Sequence, residues 1–148
     1  MSISLAPAAD AIYRFAAGQD MAQRTVYESA FTADASLDFQ QPARLFGAEI
    51  PLMEGRDLIL ERAFTATDSL VTTHSVTNPR WVDEEAGRVH ALVEAQHVVP
   101  DEPERRLLLK NHYFVDMVAQ HPGARIRNLV IETIWWSGDP AVLFGAQD

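Results

Sequence analysis

The 148-residue chain contains no cysteine. That absence excludes disulfide bonds, thiolate metal sites and cysteine nucleophiles. Basic residues are also few: 12 Lys and Arg stand against 21 Asp and Glu, so the formal net charge at pH 7 is −9. Because phosphate backbones and anionic membranes are bound by basic surfaces, this charge argues against a nucleic-acid or membrane partner.

Three familiar chemical motifs are missing as well. The seven glycines are scattered, and no glycine-rich loop of the kind that cradles phosphates is present. The five histidines lack the i, i+4 pairing and the nearby carboxylate of a zinc-binding helix, so we expect no metal. No G-x-S-x-G elbow is available for a serine nucleophile. Cofactor-free acid–base chemistry remains possible, as does ligand binding without chemistry.

Long apolar runs and internal boundaries are absent too. No segment is apolar over the length of a membrane span, and the first residues, MSISL, do not have the pattern of a signal peptide. Together with the lack of cysteine, this predicts a cytoplasmic protein. No linker, repeat or low-complexity tract divides the chain, so we expect a single domain over residues 1–148.

The first half of the chain has the apolar spacing of helices. This spacing predicts one helix over about 7–18, a second beginning after Asp20 and continuing to Phe31, and a third over about 56–64. Residues 37–39 are interpreted as a short strand, and residues 41–55 as loop or weak strand.

The second half changes to the alternating pattern of strands. Strands are predicted over 70–81, 88–99, 107–119 and 125–136, with turns at 83–87 and 121–123. Helices followed by a meander of long strands indicate an α+β fold. We expect the helices to cover one face of a curved antiparallel sheet and to enclose a pocket.

The alternation places His97 on the apolar face of its strand and His90 on the opposite face. An imidazole among valines and alanines either has its polar atoms satisfied locally or faces a cavity. Both interpretations of His97 stay open, and in the first it is a structural histidine. Asn111 and Tyr113 share the apolar face of the next strand. His74, in the middle of its own strand, has no distinguishing pattern.

Asp20 has a structural interpretation of its own. Asp20-Met21-Ala22-Gln23 matches a helix capping box, and an N-cap aspartate stabilises a helix by about 1 kcal/mol. One carboxylate oxygen can cap while the other contacts a histidine, so capping does not exclude a second role.

Short motifs along nearly the whole chain suggest a family. They are Leu37-Asp38-Phe39, Thr73 to Asn78, Glu94 to His97, and Trp135-Trp136 followed by Ser137 to Pro140. In this order they resemble the SnoaL-like branch of the nuclear transport factor 2-like superfamily. Within that branch the chain resembles scytalone dehydratase and the hexachlorocyclohexane dehydrochlorinase.

The resemblance implies a catalytic Asp20–His74 pair, with His97 as a second histidine of the scytalone dehydratase kind. The chain departs from that enzyme at Gln19 and Phe39, where the enzyme has tyrosines, and at Asn111, where it has serine. Because those hydroxyls position a substrate oxygen, a different substrate is expected here. Gln19, Phe39, Asn111 and Tyr113 are the predicted substrate-binding residues.

These observations give two hypotheses of function. In the first, Asp20 orients His74, which removes a proton from a small apolar or aromatic molecule in a dehydratase or isomerase type of reaction, and His97, Asn111 or Tyr113 donates to the developing oxyanion. In the second, the same pocket holds a ligand without turnover, or the domain is an assembly subunit.

The second face of the long strands carries Leu108, Phe114 and Val118, which three helices on the other face cannot cover. Trp135 and Trp136 are adjacent on a strand and point to opposite faces, so one of them is expected outside the pocket. A homodimer through the outer face of the sheet is therefore predicted. The alternative is that residues 142–144 fold back over that face.

Overall fold

The computed structural model describes residues 3–120 and 123–145 of the chain. Helices dominate its first half and long strands its second half. In chain order the elements are α1 (Leu5–Asp20), α2 (Arg24–Ser29), β1 (Phe31–Asp38), α3 (Gln40–Leu45), β2 (Met53–Glu54), α4 (Arg56–Thr67), β3 (Val71–Asp83), β4 (Arg88–Val99), β5 (Glu102–Gln120), β6 (Gly123–Gly138) and α5 (Ala141–Phe144).

The six strands form one sheet in the order β2-β1-β6-β5-β4-β3. Strands β3 to β6 are an antiparallel meander, as predicted. The sheet as a whole is mixed, because β1 pairs with β6 in parallel. Helices α1 and α4 pack against the sheet, so the predicted α+β fold with N-terminal helices on a sheet is confirmed.

The alternating pattern of β4 and β5 gives each strand one buried face, and these two faces together are called the inner wall. Strand β4 has the predicted bounds, and its residues Val89, Ala91, Val93, Ala95 and His97 are buried while their neighbours are partly exposed or exposed. The same alternation runs along β5 from Leu107 to Met117. The face assigned to His97 from the sequence is therefore confirmed.

Two helix predictions were wrong at their ends. Helix α1 continues through Gly18 to Asp20, and α2 begins only at Arg24, with Gln23 as the residue before it. Phe31, expected in the second helix, opens β1 and pairs with Ile126 of β6. A long-range strand pairing thus overrides the local helical spacing.

The segment 41–55, expected to be loop or weak strand, contains most of α3 and the two-residue strand β2. The side chain of Gln41 explains why α3 is held in place. Its Oε1 accepts the backbone N–H of Thr133 at 2.8 Å, and its Nε2 donates to the Thr133 carbonyl at 3.3 Å. The turn expected at 121–123 falls mainly on residues 121 and 122, which lie outside the described residues.

A close contact between α1 and α2 sets the geometry beside the site. Gly18 lies against Tyr27, and a Cβ at position 18 would come within 2.4 Å of the Tyr27 backbone nitrogen. The absence of a side chain at Gly18 therefore allows α2 to turn back onto α1. Tyr27 then packs with Phe15 and Phe31, at ring-centroid distances of 5.1 and 5.3 Å.

The outer face of the sheet keeps an apolar surface. Phe114 is 42% exposed there, and Trp135 pairs with Lys110 across β5 and β6. Helix α5 does not cover this face, contrary to the alternative considered for residues 142–144, because Phe144 packs on Phe39 and Phe46 instead. In the described part of the chain, no helix is long and apolar enough to cross a membrane.

Candidate active site

Asp20 lies at the last turn of α1, and its carboxylate contacts β3. Its Oδ1 accepts the Thr72 hydroxyl at 2.9 Å and lies 2.6 Å from Nδ1 of His74, while its Oδ2 accepts the His74 backbone N–H at 2.7 Å. The capping-box prediction was wrong, because these partners on β3 occupy the carboxylate and α2 starts four residues later.

His74 is held at both its backbone and its ring. Its side chain is 5% exposed and lines a cavity. Because the Asp20 carboxylate accepts a hydrogen bond from Nδ1–H, the other ring nitrogen, Nε2, is left as an acceptor. Nε2 has no hydrogen-bond partner within the described ranges. The geometry is that of an imidazole whose tautomer and orientation are fixed by a carboxylate.

The charge state of Asp20 follows from these contacts. Burial raises the pKa of its carboxyl, but hydrogen bonds and charge from His74, together with the Thr72 hydroxyl, outweigh burial and hold the pKa below its ordinary value. Asp20 is therefore ionised at neutral pH and can stabilise a positive charge that develops on the His74 ring.

His97 lies beside His74 on the inner wall. The two ring centroids are 6.3 Å apart, and Nδ1 of His97 lies 3.2 Å from the carbonyl oxygen of Leu107. Burial, followed by the nearby charge of His74, lowers the His97 pKa to about 4, so the ring is neutral at pH 7. A neutral ring that donates Nδ1–H to Leu107 has an unprotonated Nε2, and that nitrogen accepts rather than donates.

The amide of Asn111 and the phenols of two tyrosines complete the polar part of the wall. Asn111 is buried, and its Oδ1 accepts the Thr133 hydroxyl at 2.8 Å, which leaves its NH₂ group as a donor. Tyr113 and Tyr27 are both fully buried and line the cavity. Burial raises the pKa of each phenol, with the charge of Asp20 adding to the effect on Tyr113, so both remain O–H donors.

The cavity has a volume of about 310 Å³, which is in the range of small-molecule pockets. Six of the seven predicted site residues line it: Gln19, Phe39, His74, His97, Asn111 and Tyr113. Asp20 does not line the cavity and reaches it only through His74. The rest of the wall is mainly apolar, including Phe15, Leu37, Ile59, Leu109 and Ile131.

Sequence reasoning missed several contributors to the cavity. Tyr27 and Arg62 lie in segments that were predicted as helices, with no pattern to mark them as cavity residues. Leu143 and Phe144 of α5 also line the cavity, and the Phe144 ring stacks on Phe39 at 6.1 Å. Phe39 and Phe144 are far apart in the sequence, so their contact could not be predicted from local spacing. Neither Trp135 nor Trp136 is among the residues that line the cavity.

A second histidine pair lies on the opposite face of the sheet. His90 Nε2 is 2.7 Å from His112 Nδ1, and the Phe114 ring packs on both imidazoles. No group of three or more His, Asp or Glu in the described ranges is arranged to hold a metal ion.

Several known proteins are similar to this chain in sequence or in fold. The chain is 28% identical over 157 aligned positions to terrestric acid biosynthesis cluster protein E of Penicillium crustosum, covering 96% of this chain and 95% of that protein. Two solved structures share the fold. A putative scytalone dehydratase of Novosphingobium aromaticivorans aligns with a TM-score of 0.72 and 16% identity, covering 88% of this chain and 84% of the other. A hexachlorocyclohexane dehydrochlorinase of Novosphingobium barchaimii LL02 aligns with a TM-score of 0.69 and 16% identity, covering 91% and 89%.

The sequence model of one family covers most of the chain. It is the model of the SnoaL-like domain, and it matches residues 6–130, which include Asp20, His74, His97, Asn111 and Tyr113. The chain therefore belongs to the SnoaL-like domain family.

Proposed function

We propose that the protein is a cofactor-independent acid–base enzyme of the dehydratase, dehydrochlorinase or isomerase type, acting on a small apolar or aromatic molecule. The observation that carries this proposal is the 2.6 Å contact between Asp20 and His74 at the wall of an apolar cavity. The named activities of two proteins with the same fold, and a relative from a biosynthesis cluster, support it.

In this mechanism Nε2 of His74 removes a proton from a substrate carbon. The electrons of the broken C–H bond form a C=C bond as a leaving group departs from the adjacent carbon, or they move onto a carbonyl oxygen to give an enolate. The ionised Asp20 stabilises the imidazolium that results. The protonated His74 can then return the proton to a departing hydroxide or to another carbon of the substrate.

The donors of the wall are suited to stabilise oxygen in this reaction. The NH₂ group of Asn111 and the phenols of Tyr113 and Tyr27 can donate to a developing oxyanion without rearrangement. His97 has a different role in this proposal, because its neutral ring accepts at Nε2 and suits a substrate hydroxyl. Phe39 and Gln19 complete the substrate-binding set, at the two positions where the resemblance to scytalone dehydratase shows a departure from tyrosine.

The experiment compares the wild-type protein with Asp20→Asn and His74→Gln. A panel of aromatic β-hydroxy ketones, β,γ-enones and chlorinated cyclohexanes is incubated in D₂O, and NMR records both product and deuterium exchange at carbon. Each variant should lose about 10²–10⁴-fold in rate, because a positioned general base contributes that factor. Asp10→Asn is the matched control, since Asp10 is an exposed residue of the same helix whose carboxylate pairs with Arg14.

Retention of the wild-type rate in both variants would refute the acid–base pair. Binding of panel members with no exchange and no product would instead favour the second hypothesis, a ligand-binding protein or assembly subunit of the same fold.

We also propose that two copies of the chain associate through the outer face of the sheet. Phe114 and Trp135 are exposed there, and no described helix covers them. Burial of such side chains in a symmetric contact is a common way to remove apolar surface from water.

A further inference from the structure

The mouth of the cavity carries an unmatched positive charge. Among the described residues that line the cavity, Arg62 is the only Asp, Glu, Lys or Arg. It lies on α4, and it is exposed together with Thr65 and Ala66 of the same helix, so this part of α4 forms the mouth. The floor and inner wall behind it are apolar or hold neutral polar groups.

Arg62 lacks the partners that usually neutralise a helical arginine. Its guanidinium makes no ion pair and no hydrogen bond with any residue in the described ranges. Acidic residues three or four positions away would be placed to pair with it. Those positions hold Leu58, Ile59, Thr65 and Ala66.

Two other arginines that lie on or against α4 are engaged, in contrast. Arg24 of α2 stacks over the ring of Phe64 at 4.9 Å. Arg56 at the start of α4 donates to the carbonyl of Phe31 and lies 3.6 Å from Glu28. The guanidinium of Arg62 is thus free at the cavity, whereas those of Arg24 and Arg56 are engaged.

We propose that Arg62 recognises a carboxylate on the substrate, so that the pocket takes an apolar or aromatic body with an anionic end at the mouth. This inference rests on the proposed function in treating the cavity as the substrate site. A guanidinium fork binds a carboxylate through two parallel hydrogen bonds. The amide of Gln19, which lies 3.5 Å from the Thr67 hydroxyl, adds a neutral donor on the same rim.

The overall charge of the protein makes a cation at the cavity more useful for an anionic substrate. With a net charge of −9, the surface repels anions on average. An unpaired cation at the mouth offsets this repulsion where the ligand enters. The Asp20 carboxylate lies behind His74 and is already occupied by three hydrogen bonds.

The test uses two ligands of nearly equal shape, 2-naphthoate and the neutral 2-naphthamide. Their dissociation constants are measured by calorimetry on the full chain. The wild-type protein should bind the naphthoate about tenfold more tightly, since the pair is charge-assisted but partly exposed. In Arg62→Gln this preference should fall to about one, while naphthamide affinity changes by less than about twofold. The preference should also shrink as salt is raised.

Arg127→Gln is the matched control. It removes the same charge from a separate recess lined by Asp34 and Asp116, and it should keep the preference. A wild-type protein that prefers the amide, one that binds neither ligand, or a preference that survives in Arg62→Gln would each overturn the proposal. Asp20→Asn should keep the preference, because Asp20 does not line the cavity. A wild-type protein that prefers the carboxylate but turns over no member of the substrate panel would refute the catalytic mechanism and leave this inference standing.

Discussion

The two faces of β4 carry histidines in two different settings. On the inner face His97 lies near His74, and on the outer face His90 lies near His112. The inner pair borders an apolar cavity, and one of its rings is fixed by the Asp20 carboxylate. The outer rings contact each other and Phe114, and neither contacts a carboxylate within the described ranges. Only the inner pair therefore has an oriented ring beside a space for a ligand.

The two histidine pairs differ mainly in how deeply their rings are buried. Burial, then the charge of His112 and that of Arg80, lowers the His90 pKa, but the ring stays accessible from the outer surface. His97 is 5% exposed, and its pKa falls to about 4. The comparison shows that the same residue type on one strand becomes a candidate for chemistry only where helices enclose it.

The largest expected difference between His97 and His90 is in how each affects the pH dependence of the free energy of unfolding. The His97 pKa is about 4 in the folded protein and close to 6.5 in an unfolded chain, so the unfolded chain binds this proton first as the pH falls. Above about pH 6.5 His97 is neutral in both states and does not lower the free energy of unfolding. Between about pH 6.5 and pH 4 protonation of the unfolded chain lowers this free energy by about 3 kcal/mol.

Urea unfolding of the wild type and of His97→Asn at pH 7.5 and pH 4.5 measures this difference. Asparagine keeps a donor for the Leu107 carbonyl and has no titratable group, so the variant should lose about 3 kcal/mol less stability on acidification. His90→Asn should retain nearly the wild-type pH dependence. Equal pH dependence in His97→Asn and the wild type would contradict the prediction.

The next effect concerns the outer face alone. Sedimentation should give twice the chain mass for the wild type and the mass of one chain for Phe114→Glu, because a carboxylate in an apolar contact loses its hydration. Tyr13→Glu is the control, since Tyr13 is a comparably exposed aromatic on α1, at 45%. A monomeric wild type, or a dimeric Phe114→Glu, would be evidence against the proposed dimer.

The smallest expected effect is on turnover. His90→Gln and His112→Gln should change kcat by less than about twofold, because they lie on the sheet face away from the cavity and surface substitutions have small effects. Rates with each panel substrate measure it. A large loss in either variant would show that the outer pair takes part in the reaction and that the division between the two faces is wrong.

The strands were the most predictable part of the molecule. Period-two alternation in β4 and β5 placed His97, Asn111 and Tyr113 on the inner wall correctly, because each strand has one buried face. The helix ends were less predictable. Asp20 matches a cap locally, but its partners Thr72 and His74 lie more than fifty positions away.

The remaining errors have the same origin in long-range contacts. Tyr27 and Phe31 share a helical spacing, yet Phe31 belongs to a strand that pairs with β6. Arg62 and Phe144 have no local pattern that marks a cavity, and only the packing of α4 and α5 around the inner wall brings them to it. Position relative to a cavity is a property of the whole fold.

The contact between Asp20 and the His74 backbone has a further consequence. Strand β3 is an edge of the sheet, and the His74 N–H that Asp20 accepts points away from β4, toward the open edge. Unpaired amides at such an edge invite another strand to add, which is a route to aggregation. One carboxylate thus caps an edge amide and orients the His74 ring. Substitution of Asp20 would therefore free this amide for pairing with a strand of another chain, apart from any effect on the proposed reaction.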